Sequence, residues 1–332
     1  MPKPAPAVPR HWSRRPDVRP TKCPRFRILT KTEYLDKKKE FSIPAFDPDQ
    51  PALFKKAFLD IPAIRKWFKK DAFLDASLTN KWDNKPNTFR YPQELNTAYL
   101  EQYGDAIVPL ELTRSSPENA PGNEAFERFE APLALLLQHM SAADAQETSL
   151  YLAQHSLADL PAPLQEDLPT PSTFLSHLNA RGDIYASSLW MGRPPTRTPL
   201  HRDPNPNLFV QLAGKKTIRM MKPGVGRVVF EAVRQHIRGP GGDAKMRGEE
   251  MMQGAEMEAM EMAVWNEDGD GSMGSATGWE TTLRGGDALY IPNGWWHAVR
   301  GIGKGANASV STVWNLVWVC LLTVVQANWW FR

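Results

Sequence analysis

An imidazole and a carboxylate stand two residues apart in the segment TPLHRDPNPNLFVQLAGKK, at His201 and Asp203. On a strand, residues i and i+2 project from the same face, so both side chains can reach one point. They supply two of the three ligands of the 2-His-1-carboxylate triad, which holds non-haem Fe(II) and leaves positions open. His297, in GDALYIPNGWWHAV, is the candidate for the third ligand. The spacing indicates a metal centre built from two distant segments.

Because His-x-Asp also occurs by chance, its neighbours decide how much weight it carries. Thr198 precedes the first histidine by three residues, and Lys216 follows it across a turn predicted at Gly214. NLFVQLAG predicts a buried strand, and GDALYIP predicts a turn, an apolar strand and a proline stop. A buried lysine needs an anionic partner, and a dicarboxylate co-substrate would supply one.

These two segments resemble the JmjC (cupin-8) family of Fe(II)- and 2-oxoglutarate-dependent oxygenases, particularly its fungal members. The likeness extends from about Leu53 to the C-terminus and includes VPLEL (108–112) and LYLAQHSLADLPAPLQEDLPTP (150–171). The resemblance implies a mainly β fold: a double-stranded β-helix (jelly-roll or cupin) core, with flanking helices on its N-terminal side and a helical insertion.

The resemblance also implies a set of site residues and the cofactors Fe(II), 2-oxoglutarate and O2. The implied iron ligands are His201, Asp203 and His297. Thr198 and Lys216 would hold the far carboxylate of 2-oxoglutarate. The further residues expected around the co-substrate are Asn207, Trp190 and Asn328.

Composition shifts along the chain predict its organisation. Residues 1–45 are rich in Pro, Arg and Lys, and we expect a largely disordered basic arm there. A solvated tail, a mitochondrial transit peptide and an arm that contacts RNA or chromatin are its three interpretations. Residues 46–332 form the predicted oxygenase domain, with a helical part at 46–145 and the β-helix core from about 146. An insertion at 223–282 is expected to cap the mouth of the barrel.

Global properties limit the compartment and partners. The net charge of +3 on 332 residues is nearly neutral, so the charge of the whole chain gives no support for a polyanionic partner. Two cysteines, Cys23 and Cys320, cannot form a disulfide framework, which fits a reducing compartment and a ferrous site. We therefore expect an intracellular protein of the cytoplasm or nucleus, with the mitochondrion as the alternative, and no membrane partner.

Local patterns predict individual elements. SLYLAQHSL (149–157) and DIYASSLWMG (183–192) are predicted strands, with Tyr151 and Gln154 as candidate pocket residues. EAFERFEAPLALLLQHM (124–140) is predicted as one apolar helix. Within the insertion, RGEEMMQGAEMEAMEMAVW (247–265) is expected to bury a helical face that contains Met262.

The C-terminal segment departs from the family pattern. The expected closing strand is split between Ala308–Val310 and Asn328–Arg332 by the apolar segment STVWNLVWVCLLTVVQA (311–327). One interpretation is an insertion, including translated intron sequence. In the other, Ser311 takes the position of the family's Asn and TVWNLVWV is the strand itself. The segment is short for a membrane span, which needs about 20 residues.

Four functions fit these observations. Hydroxylation of a protein side chain is the leading hypothesis. Histone lysine demethylation comes second, since the sequence has no recognisable chromatin-reader module or zinc cluster. Hydroxylation of a tRNA base is supported by the basic arm alone, and a non-catalytic cupin-fold binding module is the fourth candidate. A protein or peptide substrate is the expected partner, and a homodimer is compatible with the size of the domain.

Overall fold

A computed structural model describes residues 26–28, 47–70, 92–114, 125–142, 148–171, 184–238, 254–265 and 278–314. Several expectations lie outside these residues: nearly all of the N-terminal arm, Asn328, and the apolar segment after Trp314.

The described part of the chain contains fifteen strands and six α-helices. The strands are β1 (Phe26–Ile28), β2 (Ala52–Phe54), β3 (Phe68–Lys70), β4 (Pro92–Leu95), β5 (Ile107–Arg114), β6 (Ala125–Pro132), β7 (Thr148–Ser156), β8 (Ile184–Gly192), β9 (Thr196–Arg202), β10 (Asn207–Ala213), β11 (Lys215–Met221), β12 (Gly278–Arg284), β13 (Ala288–Ile291), β14 (Trp296–Ile302) and β15 (Asn307–Trp314). The helices are α1 (Pro62–Lys66), α2 (Thr97–Leu100), α3 (Leu133–Ser141), α4 (Ala162–Glu166), α5 (Pro223–Arg238) and α6 (Gly254–Trp265).

Two sheets form the core of the fold. The smaller has the strand order β1-β12-β11-β14-β9, and the larger has the order β2-β13-β10-β15-β8-β7-β5-β6. All pairs within them are antiparallel except β1 with β12. The inner faces meet in an apolar core, where Ile218 and Met220 of β11 pack with Phe209 of β10. The predicted mainly β double-stranded β-helix is confirmed.

Helices cover the outer face of each sheet, which is why the strands at the centre are apolar on both sides. On the eight-stranded sheet, Leu208 and Val210 of β10 belong to a core that also contains Trp67 after α1 and Leu136 of α3. All seven residues of β10 are buried. This double coverage explains why β10 (NLFVQLA) is buried along its whole length and is apolar at every position except Asn207 and Gln211.

The insertion covers the outer face of the five-stranded sheet. Val229 and Val233 of α5 and Met260 of α6 pack with Leu200 and Trp296 of that sheet. The prediction that the insertion caps the barrel mouth is therefore wrong for α5 and α6. The predicted burial of Met262 on α6 is also wrong, because Met262 is 47% exposed and Met260 is buried instead.

The N-terminal part is less helical than predicted. Within 46–145, strands β2, β5 and β6 belong to the eight-stranded sheet. The predicted helix at 124–140 is a strand, β6, followed by the helix α3, and Pro132 stands at their junction. Proline fixes its own backbone angle and lacks an N–H, so it favours a new helix start over a helix interior. The polar half FERFE pairs with β5 and becomes an edge strand.

The last described strand agrees with the second interpretation of the C-terminal segment. β15 runs without a break from Asn307 to Trp314 between β10 and β8. Ser311 pairs with Phe209 on one side and with Ser188 on the other. Residues 311–314 are thus part of a central strand. No helix among the described residues is long and apolar enough to cross a membrane.

Candidate metal centre

The two histidines meet because their strands are neighbours. His201 on β9 pairs directly with His297 on β14, and their ring centroids are 4.1 Å apart. Asp203 follows β9 by one residue. One of its carboxylate oxygens lies 3.8 Å from His201 Nε2, and the other lies 3.6 Å from His297 Nε2. One ligand atom from each residue lies within 4.8 Å of the others. Two nitrogens and one oxygen therefore converge on one point.

Neighbouring groups orient all three side chains. His201 Nδ1 lies 2.9 Å from the carbonyl oxygen of Pro199, and His297 Nδ1 lies 3.4 Å from that of Trp295. A carbonyl oxygen accepts only, so each Nδ1 carries the proton and each Nε2 presents a lone pair to the centre. Asn207 Nδ2 donates to an oxygen of Asp203 at 2.8 Å.

The environment of His297 favours its neutral imidazole. Burial lowers the pKa of His297 to about 4, and the adjacent His201 acts in the same direction, while Asp203 opposes both. A neutral histidine is the form that binds a metal. The donor set of two imidazoles and one carboxylate thus fits a divalent transition metal, and Fe(II) in particular.

A β-bulge brings Thr198 to the inner side of β9. In a regular strand, residues three apart project from opposite faces. Here the register shifts between His297 and Val299, so that Thr198 pairs with Val299 and His201 pairs with His297. Val299 belongs to the inner core, so Thr198 faces inward as well. Among the described residues, its hydroxyl has no hydrogen-bond partner.

Lys216 is a buried amine with no acidic partner in the part of the chain that the structure describes. Its side chain is 2% exposed, and Nζ donates to Ser309 Oγ at 2.7 Å and to Tyr151 Oη at 3.2 Å. No carboxylate of the described residues lies within ion-pair distance of it. Burial lowers the pKa of Lys216 to about 7. A buried amine of this kind fits an anionic small molecule that completes its charge.

The interior of the β-helix contains two further groups that fit a polar ligand. Asn207 Oδ1, beside Asp203, and Trp190 Nε1 are buried and have no hydrogen-bond partner among the described residues. The Trp190 ring lies 6.3 Å from the ring of Tyr151. A Cβ at Gly301, which pairs with Lys216, would overlap the hydroxyl of Thr196. The structure thus brings Trp190 close to Tyr151 and Lys216, and it brings Asn207 to the metal ligand candidate Asp203.

Of the two predicted pocket residues, Tyr151 lies in the interior and Gln154 does not. Tyr151 reaches Lys216, and burial together with the nearby Glu111 raises the pKa of the Tyr151 hydroxyl above its usual range. Gln154 is exposed and has a φ of 53°, because the pairing of β7 with β8 shifts between Leu152 and His155. The expected role of Gln154 in the pocket is therefore wrong.

Ser309 is the site residue that sequence reasoning did not assign. It lies on β15 between β10 and β8, fully buried, with its hydroxyl on Lys216. The available signal was weak: Ser309 is one of three small polar residues in ASVSTVW, with Ser311 and Thr312. Only the register of β15 identifies Lys216 as its partner.

Comparison with known proteins agrees with this geometry. A family profile for the cupin-like domain matches residues 39–332. Jumonji C domain-containing protein 5 of Drosophila melanogaster is 25% identical over 285 residues, which cover 83% of this chain and 57% of that protein. Lysine-specific demethylase JMJ30 of Arabidopsis thaliana is 28% identical over 165 residues, 50% of this chain and 33% of that protein.

Lysine-specific demethylase 8 of Danio rerio is 38% identical over 73 residues, 22% of this chain and 18% of that protein. The chain therefore spans little more than half the length of the Drosophila relative and a third or less of the other two.

Proposed function

The chain belongs to the cupin-like domain family of JmjC type, and from that premise we propose that it is an Fe(II)- and 2-oxoglutarate-dependent oxygenase that hydroxylates a protein side chain. One observation carries the proposal: His201, Asp203 and His297 converge from two strands, with both imidazoles oriented for metal binding. Bound Fe(II) would supply the oxidising chemistry, in which O2 and 2-oxoglutarate become succinate, CO2 and one hydroxyl oxygen on the substrate carbon.

The residues of the chain hold the reactants in this proposal. Lys216 pairs with the far carboxylate of 2-oxoglutarate, and Thr198 donates a further hydrogen bond to that carboxylate. Ser309 and Tyr151 hold the ammonium group of Lys216 in place. His297 pairs with Met220, four residues along β11 from Lys216. At a strand rise of about 3.3 Å per residue, those positions are roughly 13 Å apart, at the two ends of one interior face.

Lysine demethylation is the second candidate. It is favoured by the names of two relatives, the lysine-specific demethylases of Arabidopsis thaliana and Danio rerio. The metal chemistry is the same, but the attacked carbon is a methyl group on nitrogen, and the hydroxylated product releases formaldehyde. Within the described residues the triad is the one cluster suited to a metal, so a zinc-bound reader module has no support there.

The first test is succinate production from 2-oxoglutarate with Fe(II), ascorbate and no added substrate. We expect slow turnover by the wild type and none by Asp203→Ala, since loss of the carboxylate removes a metal ligand. Equal succinate from both proteins contradicts the proposed centre. Bound iron without any turnover in the wild type favours the non-catalytic binding module.

Peptide products then separate the two candidates. Mass spectrometry of peptide libraries reports a gain of one oxygen for hydroxylation, whereas methylated lysine peptides lose a methyl group and release formaldehyde in demethylation. A tRNA substrate is compared in parallel, with and without residues 1–45. Dependence of RNA turnover on that arm, together with inert peptides, supports the tRNA alternative.

The homodimer, the compartment and the fungal type stay predictions.

A further inference from the structure

The residues that flank the histidine ligands face away from the metal centre. Leu200 precedes His201, and Trp296 and Ala298 stand on either side of His297. All three belong to the apolar core that α5 and α6 form on the outer face of the five-stranded sheet. The insertion thus lies directly behind both ligand strands, one residue away from each imidazole.

Gly226 makes the closest of these contacts. It lies in the first turn of α5, and a Cβ at this position would overlap the Cβ and ring of Trp296. The overlap involves atoms next to the β14 backbone, so a side-chain rotation alone cannot remove it. Phe230, one turn further along α5, packs on the Trp296 ring with centroids 4.7 Å apart. Arg202 covers the same indole at 5.9 Å from its centroid.

The second helix is attached to the same sheet by a cation–π clamp. Trp265 at the end of α6 lies between two guanidinium groups, Arg219 at 4.6 Å and Arg300 at 4.4 Å from its ring. Arg300 also forms an ion pair with Glu261 of α6 at 2.6 Å. These arginines stand on β11 and β14. The helix pair is therefore fixed to the strand that carries His297.

We propose that the α5–α6 insertion is a positioning element for the metal centre, acting on His297 through the contact of Gly226 with Trp296. This inference rests on the proposed function, because it presumes that the triad binds a metal. Within a strand, adjacent residues share a peptide plane, so a displacement of Trp296 turns the backbone that holds His297. Metal affinity depends on ligand geometry, and loss of an orienting contact costs roughly 10–100-fold in metal affinity or activity.

Substitution of two glycines of the same helix tests this in the full-length protein. Gly226→Ala adds a methyl group against Trp296, whereas the matched control Gly224→Ala adds one where no atom lies within 4 Å. Co(II) alone is titrated by calorimetry, and its visible absorption reports ligand geometry. We expect about tenfold weaker Co(II) binding and an altered spectrum for Gly226→Ala, and wild-type behaviour for Gly224→Ala.

A second measurement separates a specific effect on the metal centre from a general loss of rigidity in the protein. In the metal-free protein, the affinity for 2-oxoglutarate should stay within about twofold of the wild type in Gly226→Ala, because Lys216 lies at the other end of the interior face. Wild-type Co(II) affinity in a folded Gly226→Ala overturns the proposal, and so does an equal weakening of both ligands. If Gly226→Ala does not fold, Phe230→Leu replaces it, and an unchanged Co(II) affinity there overturns the proposal too. A wild-type protein that binds no Co(II) defeats the proposed function itself.

Discussion

Asp167 and Lys216 are both buried ionisable side chains, but among the described residues only Asp167 has an oppositely charged partner. Asp167 is fully buried in the helical layer outside the eight-stranded sheet. It accepts hydrogen bonds from Lys66 Nζ at 2.6 Å, Trp67 Nε1 at 2.8 Å and Tyr99 Oη at 2.6 Å. Burial alone would raise the pKa of Asp167, yet these three donors outweigh it and hold the pKa below its usual range.

At Lys216 the effect of burial on the pKa outweighs that of the hydrogen-bond partners. Its partners are two hydroxyl groups, Ser309 and Tyr151, and burial is the cause that lowers its pKa to about 7. A buried charge is stable when opposite charge and hydrogen bonds compensate its lost hydration. Asp167 meets that condition within the chain, which marks it as structural. Among the described residues Lys216 does not, and this difference supports its proposed role in binding an anionic co-substrate.

Removal of the Lys216 ammonium should have the largest effect on the co-substrate. Lys216→Met is expected to raise the 2-oxoglutarate requirement at least about 100-fold, since one partner of a buried charge pair is lost. The apo variant should be at least as stable as the wild type at pH 7, because an uncompensated charge is gone. Lys215→Met, the adjacent residue on the other side of β11, is the control. An unchanged requirement in Lys216→Met removes its assigned role.

Asp167→Asn should show the converse pattern. The amide supplies donors where three donors already converge, so we expect a loss of about 2–3 kcal/mol in the free energy of unfolding. The 2-oxoglutarate requirement of the folded variant should stay at the wild-type value. Urea denaturation measures the first quantity and succinate production the second. A variant as stable as the wild type means that the Asp167 cluster is not structural.

The pH dependence of stability should reveal Lys216 in the apo protein. Its folded pKa of about 7 lies below the reference value of 10.5, so between these values the unfolded chain binds a proton that the folded chain lacks. Stability therefore rises with pH in this window, by up to about 1.4 kcal/mol per pH unit. Denaturation of wild type and Lys216→Met from pH 7 to 9.5 isolates the difference. Parallel curves would mean that Lys216 keeps an ordinary pKa.

Ser309→Ala should have the smallest effect. It removes one hydrogen-bond acceptor of the Lys216 ammonium and leaves Tyr151 in place. We expect an increase of roughly fivefold in the 2-oxoglutarate requirement, equivalent to about 1 kcal/mol. Ser187→Ala, whose hydroxyl bonds to Thr312 on the outer side of the sheet, is the matched control. Equal effects of both variants contradict a specific role for Ser309.

Much of the site followed from short segments of sequence. The ligand types, the i and i+2 spacing of His201 and Asp203, and the apolar strand NLFVQLA are local properties, and the structure brings these residues together as expected. The helix predicted at 124–140 failed for a non-local reason: FERFE becomes a strand because β5 offers it a partner edge. The prediction that Met262 of α6 is buried failed because Arg219 and Arg300 orient that helix through their contacts with Trp265.

The side chains suited to metal binding, and the lysine that we propose to bind an anion, could be identified from the sequence alone, because these properties belong to residue types and to neighbours on one strand. Tertiary structure alone decided that a bulge turns Thr198 inward, that Ser309 is the partner of Lys216, and that Gly226 supports the strand of His297. Each of those facts depends on the register or packing of segments distant in the chain, which short-range spacing does not encode.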